Sequence, residues 1–157
     1  MKIFLYYIGR EKKDHFTDAI QVYVSRLKHY CQFEIKQIIP QKYPNSYSIK
    51  KILSIEAELL KLELKSIDQV VLLDEQGKQI SSETMAKMIQ NFQNRSLRKL
   101  AFVLGGSFGF DSQFKSKFNN QLSLSKLTFP HHLAKLIFTE QLYRAFTILN
   151  GEPYHNF

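Results

Sequence analysis

The chain contains no tryptophan, one cysteine, four prolines and six glycines in 157 residues. The single Cys31 cannot form an internal disulfide, and no Cys/His spacing of the metal-site type occurs. Neither a disulfide scaffold nor a metal site is therefore expected, and a reducing cytoplasm is the simplest compartment. No stretch approaches the ~20 apolar residues of a membrane span. The opening Met1-Lys2-Ile3-Phe4-Leu5-Tyr6-Tyr7-Ile8-Gly9 carries too short an apolar run for a signal peptide. Arg10, Lys12 and Asp14 follow at once, with no small-residue cleavage site, so it reads as a first strand. There is no long Lys/Arg block, linker, internal repeat or low-complexity tract, so a single domain over residues 1–157 is expected. Several chemistries lack their signature as well. No Gly-x4-Gly-Lys-Ser/Thr phosphate loop is present, and no nucleophile elbow, Ser-His-Asp arrangement or paired acid/base carboxylates stand out.

What is present is basic and regularly patterned. Lys plus Arg outnumber Asp plus Glu by 22 to 14, for a net charge of +8. The excess is scattered, at Lys50-Lys51, Arg95, Arg98-Lys99, Lys115, Lys117, Lys126, Lys135 and Arg144, which suits a folded surface resting on a structured polyanion such as nucleic acid. Phe16, Ala19, Ile20, Tyr23, Val24, Leu27 and Tyr30 recur at helical steps. A strand is predicted through Phe33-Glu34-Ile35-Lys36 to Ile38-Ile39, then a loop over residues 40–47. Ser48 and Ser81 are placed to cap two further helices. The apolar Gln69-Val70-Val71-Leu72-Leu73-Asp74 reads as a central parallel strand, and Glu75-Gln76-Gly77-Lys78 as a loop. Leu122, Leu124, Leu127 and Phe129 read as a fifth strand or an extended segment. A long last helix runs through Leu133, Leu136, Ile137, Tyr143, Phe146 and Leu149, and Gly151 stands where a C′ glycine belongs. Strand and helix alternate throughout, which predicts an α/β fold with a parallel-rich sheet flanked by helices.

The apolar run Leu100-Ala101-Phe102-Val103-Leu104 empties into Gly105-Gly106-Ser107-Phe108-Gly109, which holds three of the six glycines. Ligands in open α/β sheets bind beyond the carboxyl ends of strands, so the cluster reads as a small-molecule cradle. A dinucleotide fold would put its glycines after the first strand; here they follow the fourth. With no nucleophile or metal in sight, chemistry in which a reactive cofactor is merely positioned is favoured. Ser123-Leu124-Ser125-Lys126-Leu127-Thr128-Phe129-Pro130-His131 supplies backbone and apolar side chains able to hold an adenine, or is an ordinary strand. Tyr154-His155 near the end is unusually aromatic for a free tail, so it is expected to pack on the body or on a partner.

Taken together, Leu104-Gly105-Gly106-Ser107-Phe108-Gly109, residues 124–131, Glu140-Gln141-Leu142-Tyr143-Arg144-Ala145-Phe146 and Pro153-Tyr154-His155 resemble the bacterial RlmH family. These are SPOUT-class methyltransferases that modify N3 of a pseudouridine in 23S ribosomal RNA, and the resemblance runs along essentially the whole chain. It implies a SPOUT-type fold with a C-terminal trefoil knot, S-adenosylmethionine as methyl donor, a homodimer whose site combines both subunits, and action on assembled ribosomes. It implies cofactor contacts from Leu73, Gly105, Gly106, Leu124, Ser125, Lys126, Leu127, Thr128 and Phe129. Arg144 is the first candidate to favour the N3 anion, with His131 or His155 relaying the proton and Tyr154 stacking on or orienting the base. On pattern alone Arg144 reads equally as a helix-surface partner of Glu140 one turn away. His15, His29 and His132 are given no role, Cys31 reads as a packing residue, and Phe110, Phe114 and Phe118 as core or dimer contact. Nothing is carried onto Asn156 or Phe157. The rival functions are a non-enzymatic RNA- or ribosome-binding module and a nucleotide-binding regulator without an RNA role.

Overall fold

The apolar runs of the sequence are buried on both faces, and that decides the architecture. The computed structural model describes residues 1–10 and 15–156; Lys12, Asp14 and Phe157 lie outside the described residues. In chain order the elements are β1 (Lys2–Ile8), α1 (His15–Leu27), β2 (Gln32–Ile38), α2 (Ile49–Glu63), β3 (Gln69–Gln79), α3 (Ser82–Asn94), β4 (Lys99–Leu104), α4 (Ser112–Lys115), β5 (Gln121–Ser123) and α5 (His131–Leu149). The predicted alternation is observed throughout. All strand pairings are parallel, in the order β2-β1-β4-β3-β5.

Successive strand residues point to opposite layers. Leu100, Phe102 and Leu104 pack with Leu27 of α1, Met85 and Ile89 of α3, and Phe138 and Leu142 of α5. Ala101 and Val103 pack with Ala57 and Leu60 of α2 and with Phe114 of α4. Helices α1, α3 and α5 therefore cover one face, and α2 and α4 the other. The connections from β1 to β2 and from β3 to β4 step one way across the sheet; those from β2 to β3 and from β4 to β5 step back. With a single crossover hand, each reversal must send the helix to the opposite face, as observed.

Local signals hold the ends. Ser48 accepts from the Lys51 N–H and Ser81 from the Thr84 N–H, so both predicted caps form. At the close of α5, Gly151 sits at φ +66°. Its N–H donates to the Ile148 carbonyl and that of Glu152 to the Thr147 carbonyl, a Schellman ending. Phe114 is fully buried between Phe110 and Phe118, at ring separations of 6.2 and 4.9 Å, which makes the phenylalanine row core.

Two boundaries differ from the sequence expectation. Residues 75–78, expected as a loop, belong to β3, which continues to Gln79 with a register shift against β5 between Leu73 and Lys78. A Cβ on Gly77 would lie 2.7 Å from the Gln121 carbonyl carbon, so only glycine permits this second stretch of pairing. The fifth strand stops at Ser123, and residues 124–130 form an irregular segment. Among the described residues no helix is long and apolar enough to cross a membrane.

Phe138 is wholly buried, its ring 4.6 Å from that of Phe102. Phe138→Ala is expected to cost about 3–5 kcal/mol through the cavity it leaves. Gly151→Ala, whose Cβ would meet no atom within 4 Å, is expected to cost only the left-handed backbone penalty of about 1–2 kcal/mol. Urea denaturation of the two variants checks the order; equal losses would contradict it.

Candidate functional site

Strands β3 and β4 lie side by side, and the helices that follow them leave to opposite faces of the sheet. Their carboxyl ends diverge into a crevice, the place where open α/β sheets take ligands. A cavity of about 610 Å³ opens there, walled by residues 73–76 of β3, residues 104–110 after β4, Lys115, the segment after β5 and the start of α5 at His131 and Ala134.

The glycine segment forms its floor. The Gly109 N–H donates to the Gly106 carbonyl at 3.0 Å, closing a tight turn with Ser107 and Phe108 at the tip. Gly109 holds φ +79°. A Cβ on Gly105 would come 2.7 Å from the Gly109 carbonyl oxygen, and one on Gly106 would run into the Glu56 carboxylate beneath it. Both glycines thus have causes inside the protein, beyond the close approach of a ligand expected from sequence. Their backbone lines the cavity all the same. Phe108 is 51% exposed at its lip.

The register shift in β3 creates the second wall. Asp74, Glu75 and Gln76 fall between the two paired stretches and face the cavity. Asp74 accepts from the Gln76 N–H at 2.8 Å and pairs with Lys115 at 2.8 Å. The Thr128 hydroxyl donates to Glu75 at 3.1 Å, tying the segment after β5 to this bulge. That segment is shaped by its own hydroxyls, since Ser123 donates to the Ser125 carbonyl and Ser125 accepts from the Leu127 N–H.

Of the residues singled out in sequence, Leu73, Gly105, Gly106, Leu124, Ser125, Leu127, Thr128, Phe129 and His131 line this cavity. Lys126 is exposed and lies outside the lining. Arg144, Tyr154 and His155 are elsewhere. At 1.5 Å per residue, α5 carries Arg144 about 20 Å along its axis from His131. There Arg144 donates to Glu140 through Nε at 3.1 Å and Nη2 at 2.5 Å, and Nη1 lies 3.3 Å from His155 Nδ1. The Tyr154 hydroxyl donates to Glu140 at 3.0 Å, and its ring lies under the Arg144 guanidinium at 4.7 Å and edge-on to Tyr143 at 4.8 Å. His155 Nε2 is 3.1 Å from Glu83. Burial first, then the neighbouring Tyr23 hydroxyl and Glu140, push the Tyr154 hydroxyl up. The Glu140 hydrogen bond raises Arg144 and keeps it a cation. The tail therefore packs on the body, and the Arg144–Glu140 pairing is real. Cys31 is half-buried, and burial pushes its thiol up to about 12, in keeping with a packing role.

Asp74, Glu75, Gln76, Phe108 and Lys115 were not anticipated. The first three follow an apolar strand directly, so the strand-end rule alone could have flagged them. Lys115 has no such signal, because α4 brings it in from across the sheet. Among the described residues no group of three or more His, Cys, Asp or Glu side chains could hold a metal.

A family model described as predicted SPOUT methyltransferase matches residues 1–155. Relatives named ribosomal RNA large subunit methyltransferase H align along nearly the whole chain. That of Christiangramia forsetii is 44% identical over 156 residues, and that of Bacteroides thetaiotaomicron 39% over 156, each covering 99% of both chains. That of Natranaerobius thermophilus is 37% identical over 158 residues, again with 99% coverage of both. Among solved structures, a probable methylase family protein from Haemophilus influenzae superposes with a TM-score of 0.57 at 12% identity, over 99% of this chain and 70% of that one. The tRNA (m1G37) methyltransferase of Aquifex aeolicus superposes with a TM-score of 0.54 at 11% identity, over 100% and 76%. These structural likenesses concern the fold.

Two predictions follow from the geometry. Gly105→Ala should lower the melting temperature far more than Gly109→Ala lowers it through steric overlap, because only the former Cβ meets backbone; Gly109→Ala carries the left-handed penalty alone, about 1–2 kcal/mol. Differential scanning calorimetry decides, and equal shifts would count against the packing account. The Glu83 carboxyl is held down at about 2, chiefly by the Ser81 hydroxyl, then by its own backbone N–H and His155. A depressed folded value stabilises above the ordinary 4.5 and is lost as pH falls from there toward 2. The His155 end should loosen over that window in the NMR spectrum of the native protein, and Glu83→Gln should remove the transition.

Proposed function

The chain belongs to the SPOUT methyltransferase family, and from that premise we propose that it methylates N3 of a pseudouridine in the 23S RNA of assembled ribosomes, with S-adenosylmethionine bound in the cavity at the ends of β3, β4 and β5. The observation that carries the reading is the coincidence of that cavity with the glycine turn and the 124–129 segment in a chain that aligns along nearly its whole length with relatives named as large-subunit ribosomal RNA methyltransferases.

The lining suits the cofactor. Leu73, Leu124, Leu127 and Phe129 offer apolar surface for an adenine, and the glycine turn with Leu124, Ser125, Leu127 and Thr128 offers backbone for its polar edge. The Asp74 and Glu75 carboxylates give the wall a negative character that suits a cationic ligand, partly offset by Lys115. When bound, the sulfonium supplies an already activated methyl group. The protein's work is then to align the base, which contributes up to about 7–11 kcal/mol, and to help N3 lose its proton. Arg144 would favour the N3 anion by charge. His131, at the cavity, or His155, beside Arg144, would take the proton. Tyr154 would orient the base or hold the tail that presents Arg144 and His155.

Within one chain Arg144, Tyr154 and His155 stand far from the cavity, and a homodimer resolves this: the cluster of one subunit completes the cavity of the other. Helix α5 supports such a partner. Its buried side faces the sheet, α1 and α3, yet Leu133, Leu136 and Ile137 remain only half-buried, and no residue of the helix is fully exposed. A helix apolar beyond one stripe is one that expects cover on another side.

The test begins with calorimetry. S-adenosylmethionine should bind the native protein, and Arg144→Ala should retain that affinity within about twofold while methyl transfer to ribosomes falls by about 100-fold or more. Unchanged turnover removes Arg144 from the mechanism. Salt-dependent RNA binding with no cofactor binding would favour the non-enzymatic RNA-binding module instead. Mass spectrometry of 23S RNA from cells lacking the protein should show one methyl group missing.

A further inference from the structure

Glu56 is the only carboxylate buried among the described residues, at 6% exposure. It sits on the sheet-facing side of α2 beside Ala57 and Leu60, where an apolar side chain would pack without penalty. Oε1 accepts from the Tyr43 hydroxyl at 3.2 Å; Oε2 has no hydrogen-bond partner among the described residues. Burial outweighs the Tyr43 hydrogen bond and raises the carboxyl above its ordinary range. An unsatisfied buried polar atom costs about 1–3 kcal/mol, and folded proteins keep few of them without a use. The location indicates the use. The carboxylate lies against Gly106, where a Cβ would run into Oε2 and come 2.7 Å from Oε1, and the same glycine lines the cavity. At the tip of the turn, the Ser107 and Phe108 N–H groups make no backbone hydrogen bond among the described residues. A half-used acceptor thus lies against a turn with donors to spare, and Glu56 itself is outside the cavity lining.

We propose that Glu56 is a positioning residue for the cofactor: its free oxygen takes a hydrogen bond from the glycine turn when that turn settles onto a ligand in the cavity. The proposal rests on the reading of the cavity as the S-adenosylmethionine site. The cost of the unpaired oxygen is recovered on binding, and through Tyr43 the carboxylate also joins the 40–47 loop to the glycine turn. An acceptor used only in the bound state raises affinity without touching the cofactor.

The experiment measures S-adenosylmethionine affinity by calorimetry, and ligand-free melting temperature, for the native protein, Glu56→Gln and Glu56→Ala. The expected result for Glu56→Ala is an affinity weakened by about tenfold or more, the worth of a hydrogen bond to a charged group, together with a lower ligand-free melting temperature from the cavity it leaves and the Tyr43 hydroxyl it strands. Glu56→Gln, which keeps a neutral acceptor, should fall between. The KM for the cofactor should rise while kcat at saturation is retained. Unchanged affinity in Glu56→Ala overturns the proposal. So does a loss of affinity in Glu56→Ala no larger than its lost ligand-free stability accounts for, with Glu56→Gln binding as the native protein does, since a purely structural residue behaves that way. If the native protein itself binds no S-adenosylmethionine, the reading of the cavity falls, and the role of Glu56 falls with it.

Discussion

The constraint on which the molecule depends is the burial of a parallel sheet on both faces. Ile3, Leu5, Val71, Leu100 and Phe102 fill one layer, and Phe4, Tyr6, Leu72, Ala101 and Val103 the other. An unpaired polar group in either layer loses its hydration with nothing in exchange, and Glu56 Oε2 is the one buried side-chain polar atom among the described residues left so. Polar chemistry is therefore displaced to the edge where the strands end. Since β3 and β4 hand the chain to opposite faces, that edge parts at one place, and the cavity lies there. The position of the site is a consequence of how the sheet is wound.

The glycine turn shows how closely that edge is packed. Gly105 gives way to the carbonyl of Gly109, and Gly106 to a carboxylate rising from α2. The opposing wall is made by a defect in pairing: β3 loses register against β5 and presents Asp74, Glu75 and Gln76 inward, and Gly77 then lets the pairing resume. Bulges of this kind re-aim side chains at sites. One wall is kept open by missing side chains, the other by missing hydrogen bonds. Glu56 stands beside them, a buried carboxylate with one oxygen unpaired against the glycine turn.

At the other end of α5, Arg144, Glu140, Tyr154, His155 and Glu83 form a network that pins the chain terminus to two helices. Length alone separates it from the cavity: a straight helix carries its residues 1.5 Å apart and cannot fold back. Candidate groups for one reaction therefore stand at opposite ends of one rigid rod. The proposed homodimer would unite them.

Much of this was legible in the residues. The alternation of apolar strands with capped amphipathic helices determined an α/β fold with a parallel sheet, down to the caps at Ser48 and Ser81 and the glycine ending at Gly151, because these features are local and have the period of the element that contains them. The glycine cluster after an apolar strand pointed to the cavity for the same reason. What the sequence could not determine was anything that depends on two distant segments meeting. Residues 75–78 look like a loop until β5 pairs again with Lys78 and Gln79, and Lys115 is anonymous until α4 sets it against Asp74. Glu56 reads as one more charge on an amphipathic helix until Gly106 closes over it. Tertiary structure decided those three, since burial and pairing are properties of neighbours, and a linear pattern records neighbours only along the chain.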